Sequence, residues 1–188
     1  VHNRASNLNN DKLLTAKGII EDISEIYNYK KTIETDLTKD DIYYRLVQVL
    51  KDKLEIKSFY IFENDLIKNE RNIIFSTKET KPCCSISKNV KENCRAERTD
   101  TVVLSENFPE ICRVATCKSC TDYICIPFFI NEQKSVTVHI LCEDKECLKH
   151  IKYQIGIIKK YFEETKPILE SRMLMDVLRE RNLVDGLT

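Results

Sequence analysis

Nine cysteines in 188 residues give this chain its most reactive side chains, and seven of them fall between Cys83 and Cys125. Thiolates bind soft or borderline metals; zinc takes four ligands in a closed tetrahedron, and iron–sulfur clusters also use four. The run Cys112-x4-Cys117-x2-Cys120 has the ligand step of two-iron ferredoxin clusters, with Cys125 close behind. A second Cys-x2-Cys, which a zinc ribbon needs, is absent. Free cysteine also serves as a small core hydrophobe, so plain packing stands beside metal binding. Cys142 shares strand parity with Val136, Val138 and Ile140 and is expected in the core, and Cys147 carries no assigned role. Of the three histidines, His2 lies near the chain start, His139 alternates with Val138, and His150 belongs to the last helix; all are read as structural. Arg95 and Arg98 straddle Glu97 and are read as helix-surface ion pairs, with contact to an anion as the alternative. There is no glycine-rich phosphate loop and no Gly-x-Ser-x-Gly turn.

The elements that must position these thiols follow from periodicity. Ala16, Ile19, Ile23, Ile26, Ile33 and Leu37 recur in steps of three and four, with Lys30 interrupting, and predict a long helix over about 7–37. Thr38 and Asp41 form a capping pattern that opens a second helix carrying Ile42, Leu46, Val49 and Leu50 on one side. The period then changes. Runs at 58–62, 72–75, 101–104, 123–130 and 135–142 are rich in aromatic and β-branched residues, and a short polar turn at 131–134 joins the last pair. Ile86, Val90 and Cys94 recur every four residues and predict one face of a short helix. From Glu146 the helical period returns through Ile151, Ile155, Ile158 and Phe162, and Pro167 is expected to kink or restart that helix. Helices at both ends of a set of antiparallel strands describe an α+β domain.

Composition narrows the function. Thirty basic and thirty acidic residues cancel, so no global field draws the chain to nucleic acid. No apolar run approaches the ~18 residues of a membrane span. The thiol content suits a reducing cytoplasm rather than a secreted disulfide framework. The start at Val1 and the stop at Thr188 read as the ends of a segment cut from a longer protein, one that could be membrane-anchored upstream.

One set of motifs carries a family likeness. Cys94-Arg95-Ala96-Glu97-Arg98-Thr99, Val103-x-Ser105, Phe108-Pro109-Glu110-Ile111-Cys112 and Tyr123-Ile124-Cys125-Ile126-Pro127 follow a helix, a strand pair and a short helix. Over about residues 38–165 this resembles a GAF sensory domain, and more narrowly the cysteine-containing GAF domains of bacterial signalling proteins. The resemblance implies a GAF-like central antiparallel sheet with flanking helices and a regulatory role. It also implies a zinc or iron–sulfur site, or a redox site, on Cys84, Cys94, Cys112 and Cys125. Cys117 and Cys120, ligands in the ferredoxin-like reading, are then a second choice. Residues 178–188, ending Asp185-Gly186-Leu187-Thr188, are similar to the linker and opening of GGDEF diguanylate cyclase domains, which implies a cyclic di-GMP-producing output beyond this fragment. The expected organisation is a signalling and dimerising helix over 1–37, the sensory domain over 38–165 and a linker helix over 166–188. The fragment itself is expected to be non-catalytic and to form a homodimer through its terminal helices. Two alternatives stay open. Cys84, Cys94 and Cys112 also resemble the thiols of GAF-type free methionine sulfoxide reductases, and the domain could be a dimerisation module with no ligand.

Overall fold

The computed structural model of the chain describes residues 2–77, 94–108 and 122–185. Helix α1 spans His2–Thr35 and α2 spans Lys39–Gln48, followed by a π-helical turn at Val49–Lys53. Strands β1 (Phe59–Asp65) and β2 (Glu70–Ser76) precede the short helix α3 (Arg95–Thr99). Strands β3 (Val103–Leu104), β4 (Asp122–Phe129) and β5 (Lys134–Cys142) follow, and α4 (Lys145–Asp185) closes the described chain. The strands form one antiparallel sheet in the order β2-β1-β5-β4-β3. The fold is α+β, as the alternation of periods predicts.

Local chemistry sets the element boundaries. Thr38 accepts a hydrogen bond from the Asp41 backbone amide, and the Asp41 carboxylate accepts one from the Thr38 backbone amide. This reciprocal cap satisfies two amides that a helix start otherwise leaves unpaired. The β4–β5 turn is held by the Asn131 side-chain oxygen, which accepts hydrogen bonds from the amides of Gln133 and Lys134, both at 2.9 Å. At the other hairpin Asn69 adopts positive φ (58°), a conformation asparagine tolerates better than most residues.

The sheet has two different faces. Phe59, Ile61, Ile124, Ile126, Val136, Val138, Ile140 and Cys142 point to one side, where they meet Ile42, Leu46 and Leu50 of the α2 region, Ile33 of α1, and Ile151, Ile158 and Phe162 of α4. Cys142 is therefore a core residue, as its parity predicts. Tyr60, Phe62, Tyr123, Cys125 and Leu141 point to the other side, where they cluster with Ala96 and Val103.

Helices α1 and α4 run side by side. Tyr29 Oη lies 2.7 Å from Thr165 Oγ1, Lys30 pairs with Glu164 at 2.7 Å, and Arg172 Nε donates to the Asp36 carbonyl at 3.0 Å. Ascending numbers on one helix meet ascending numbers on the other, so the two are parallel. The apolar stripe of α1 divides along its length: Ile26, Tyr29 and Ile33 pack on the core, whereas Ile19, Ile20, Ile23 and Tyr27 are more than half exposed.

Three expectations are revised. The first helix ends at Thr35, leaving Leu37 exposed in the connection to the capped second helix. Pro167 lies inside a helix that continues to Asp185 and does not restart it. Cys94 is an extended residue at the start of α3, and the helix expected around Ile86 and Val90 lies outside the described residues. No helix among the described residues is long and apolar enough to cross a membrane.

Candidate functional site

The face of the sheet opposite the terminal helices carries the groups capable of chemistry. Antiparallel register sets them in rows. Val103 on β3 is opposite Cys125 on β4, Cys125 is opposite His139 on β5, and His139 is opposite Tyr60 on β1. Residues directly across an antiparallel pair have their β-carbons about 5 Å apart, which brings the thiol and imidazole into contact. Cys125 Sγ lies 3.0 Å from His139 Nδ1, and both residues are buried. The His139 ring stacks on Tyr123 with centroids 5.7 Å apart and meets Tyr60 at 6.1 Å.

This environment keeps the imidazole uncharged. Burial, and secondarily the positive charge of Arg71, lowers the His139 pKa from 6.5 to about 4. The imidazole is thus neutral at physiological pH and shares a single proton-bearing contact with the cysteine sulfur. A neutral imidazole beside a thiol is a donor pair of the kind that ligates zinc, and it differs from the thiolate–imidazolium pair of an activated nucleophile.

Two rows further along, a buried polar network replaces hydrocarbon. Phe129, Ser135, Asn64 and Arg71 lie side by side on β4, β5, β1 and β2. Glu97 of α3 inserts its side chain above them. Its carboxylate accepts hydrogen bonds from Asn64 Nδ2 at 2.8 Å, from Ser135 Oγ at 2.6 Å and from Thr137 Oγ1. Arg71 Nε donates to Asn64 Oδ1 at 2.7 Å, and its guanidinium lies over the Phe62 ring. A buried carboxylate is tolerated only when it is hydrogen-bonded in this way. Helix α3 is therefore pinned to the sheet by Glu97 and Ala96, with Cys94 packed against the same apolar cluster at its start. Arg95 lies over the Phe108 ring, 4.0 Å from its centroid, and among the described residues no carboxylate forms the expected ion pair with it.

Of the thiols proposed as ligands, Cys94 and Cys125 belong to this face. Cys84 and Cys112 lie outside the described residues, as do the second-choice Cys117 and Cys120. Among the described residues no three side chains of His, Cys, Asp or Glu type are placed to hold one ion. Cys125 and His139 supply suitable donor atoms, and a closed four-ligand centre would have to be completed from outside the described segments. His139 and Glu97 are the functional-face residues that sequence reasoning undervalued. A signal for the first was present: the turn at 131–134 fixes the hairpin so that Cys125 and His139 pair. Glu97 lies within the 94–99 motif, but its buried role is invisible in sequence because its three partners are non-local.

No protein-family model matches this sequence, and no curated protein matches it. Solved structures do resemble it. A segment of a methyl-accepting chemotaxis protein (residues 122 to 287) superposes with a TM-score of 0.59 at 9% identity, covering 79% of this chain and 97% of that one. The GAF domain of an Acinetobacter phosphoenolpyruvate-protein phosphotransferase superposes with a TM-score of 0.51 at 8% identity, covering 76% of this chain and 91% of that one. At these identities the likeness concerns the fold: the chain has a GAF-like architecture, as its motifs imply.

Proposed function

We propose that this chain is the regulatory sensory domain of a signal-transduction protein, with its signal-receiving site on the Cys94, Cys125 and His139 face. The observation that carries this reading is the alternation along β5. His139 faces the site, while its neighbours Val138 and Ile140 sit in the core that also holds α1 and α4. A ligand, metal or oxidation event that moves His139 therefore acts on a strand that α4 contacts directly, and α4 in turn packs along α1. Transmission requires a stimulus with unequal affinity for two arrangements of those helices. Cys125 and His139 supply adjacent donor atoms for a metal, and in the four-thiol reading Cys84, Cys94, Cys112 and Cys125 would hold it; such a group would supply redox or occupancy chemistry at the face.

The parallel helices give the output its direction. Helix α4 continues past the end of α1 with Leu174, Met175, Val177 and Leu178 exposed, a second apolar patch separated from the open stripe of α1 by the buried turns at Tyr29 and Ile33. A second copy of the chain is the occupant suited to both stripes, because a two-fold pairing covers each with its equivalent. The likeness of residues 178–188 to the opening of a GGDEF domain makes a paired diguanylate cyclase the output expected from that dimer.

Metal content and the visible spectrum of anaerobically purified protein test the site. Stoichiometric zinc without colour, or a brown iron–sulfur chromophore, is the expected result. Cys125→Ser and Cys94→Ser should each lower the occupancy severalfold. Metal-free protein with an unchanged Cys125→Ser spectrum would reduce the chain to a dimerisation module.

A further inference from the structure

On the helix-bearing side of the molecule, away from the Cys125–His139 face, two further thiols meet. Cys142 ends β5 and is 2% exposed, whereas Cys147 is only partly buried in the first turn of α4. Neither is in a disulfide, and the two side chains are hydrogen-bonded to each other. The turn between them is fixed by Asp144, whose side-chain oxygen accepts from the Cys147 amide at 2.7 Å and whose carbonyl accepts from the Leu148 amide at 3.1 Å. Cys147 also lines a cleft of about 450 Å³ between the start of β1 and the start of α4, which gives its sulfur a route to small solutes.

We propose that Cys142 and Cys147 form a peroxide-reactive dithiol, with Cys147 as the attacking sulfur and Cys142 as the resolving one. Location assigns the roles. Cys147 borders the cleft, whereas Cys142 is buried and is not part of its lining. The cleft selects the oxidant by charge: Glu55, Glu143, Asp144 and Glu146 outnumber Lys57 around it, so anionic oxidants are repelled and a neutral hydroperoxide is admitted. Burial, followed by the hydrogen bond to Cys147, holds the Cys142 thiol far above the usual cysteine range, so that sulfur keeps its proton until the second step.

The reaction balances with hydrogen peroxide as the only co-reactant. The Cys147 sulfur bonds to one peroxide oxygen, the O–O bond breaks, and the thiol proton leaves with the other oxygen as water. This gives a sulfenic acid on Cys147. The Cys142 sulfur then displaces that hydroxyl; the S–S bond forms, the S–O bond breaks, and the Cys142 proton departs in a second water. Two electrons pass from the two sulfurs to the peroxide. The product ties the last residue of β5 to the first turn of the helix that leads out of the domain.

Peptide mapping decides the matter because Lys145 separates the two cysteines. Trypsin places Cys142 in the peptide 135–145 and Cys147 in the peptide 146–149. After hydrogen peroxide treatment of the full chain and alkylation of the remaining thiols, these two peptides should emerge linked, and dithiothreitol should separate them. Cys147→Ser should abolish the linked pair and leave Cys142 alkylatable. Cys142→Ala should leave a sulfenic acid on Cys147 that dimedone traps. Should Cys142→Ala fail to fold, the wild-type map alone decides. Linkage of Cys147 to another cysteine, or both peptides staying reduced while other thiols oxidise, overturns the proposal.

Discussion

At His139 an imidazole is enclosed by Tyr60, Tyr123 and the Cys125 sulfur, and that enclosure makes a pH prediction. The folded pKa of about 4 lies below the ordinary 6.5, so between those values the unfolded chain binds more protons than the folded one. Stability is then complete above about pH 6.5 and falls as pH drops toward 4, by about 2 kcal/mol between pH 7 and pH 5 from this group alone. Urea unfolding at the two pH values measures it. His139→Gln lowers stability at pH 7 and flattens the dependence; equal pH slopes in wild type and variant would show that the imidazole is not held neutral.

The elements hold their places through a few specific contacts. Thr38 and Asp41 close the start of α2 reciprocally, and that helix contributes Ile42, Leu46 and Leu50 to the core. Thr38→Ala should lower global stability by about 1 kcal/mol, read as a lower urea midpoint with an unchanged m-value. A changed m-value would instead indicate that α2 detaches separately from the rest of the core. The α1–α4 pair is fastened more deeply, through the Tyr29–Thr165 hydrogen bond and an edge-on Tyr29–Tyr161 contact with centroids 5.0 Å apart. Burial keeps the Tyr29 hydroxyl protonated far into the alkaline range. These contacts lie on the same sheet face as Val138 and Ile140.

For the molecule as a whole, the exposed stripe is the feature on which the proposed pairing rests. Ile20 and Ile23 are 66% and 58% exposed on a helix whose next turns are buried. The double substitution Ile20→Glu and Ile23→Glu should convert a dimer to a monomer in sedimentation experiments, by placing like charges across the two-fold axis. It should leave the monomer's unfolding midpoint nearly unchanged, because neither side chain contributes to the core. Wild-type protein that sediments as a monomer at high concentration would remove the helix-pairing output altogether.

Local pattern alone determined much of this protein. The order of helices and strands, the Thr38 cap, the 131–134 turn and the core assignment of Cys142 all depend on residues a few positions apart, where 3.6-fold and two-fold periods express themselves directly. Parity along β5 also placed His139 opposite Val138. The sites themselves depend on contacts between distant segments. Whether Cys125 meets His139, whether Glu97 reaches Asn64, Ser135 and Thr137, and whether Cys147 finds Cys142 are settled by strand register and by where helices land on the sheet. Glu97 reads as a solvated helix residue in sequence, since acidic residues between arginines are usually surface ion pairs; only the approach of three donors from two strands makes its burial favourable. The division of the α1 stripe has the same origin: its three-and-four spacing, broken only at Lys30, does not show which turns are covered, and the packing of the other elements decides it.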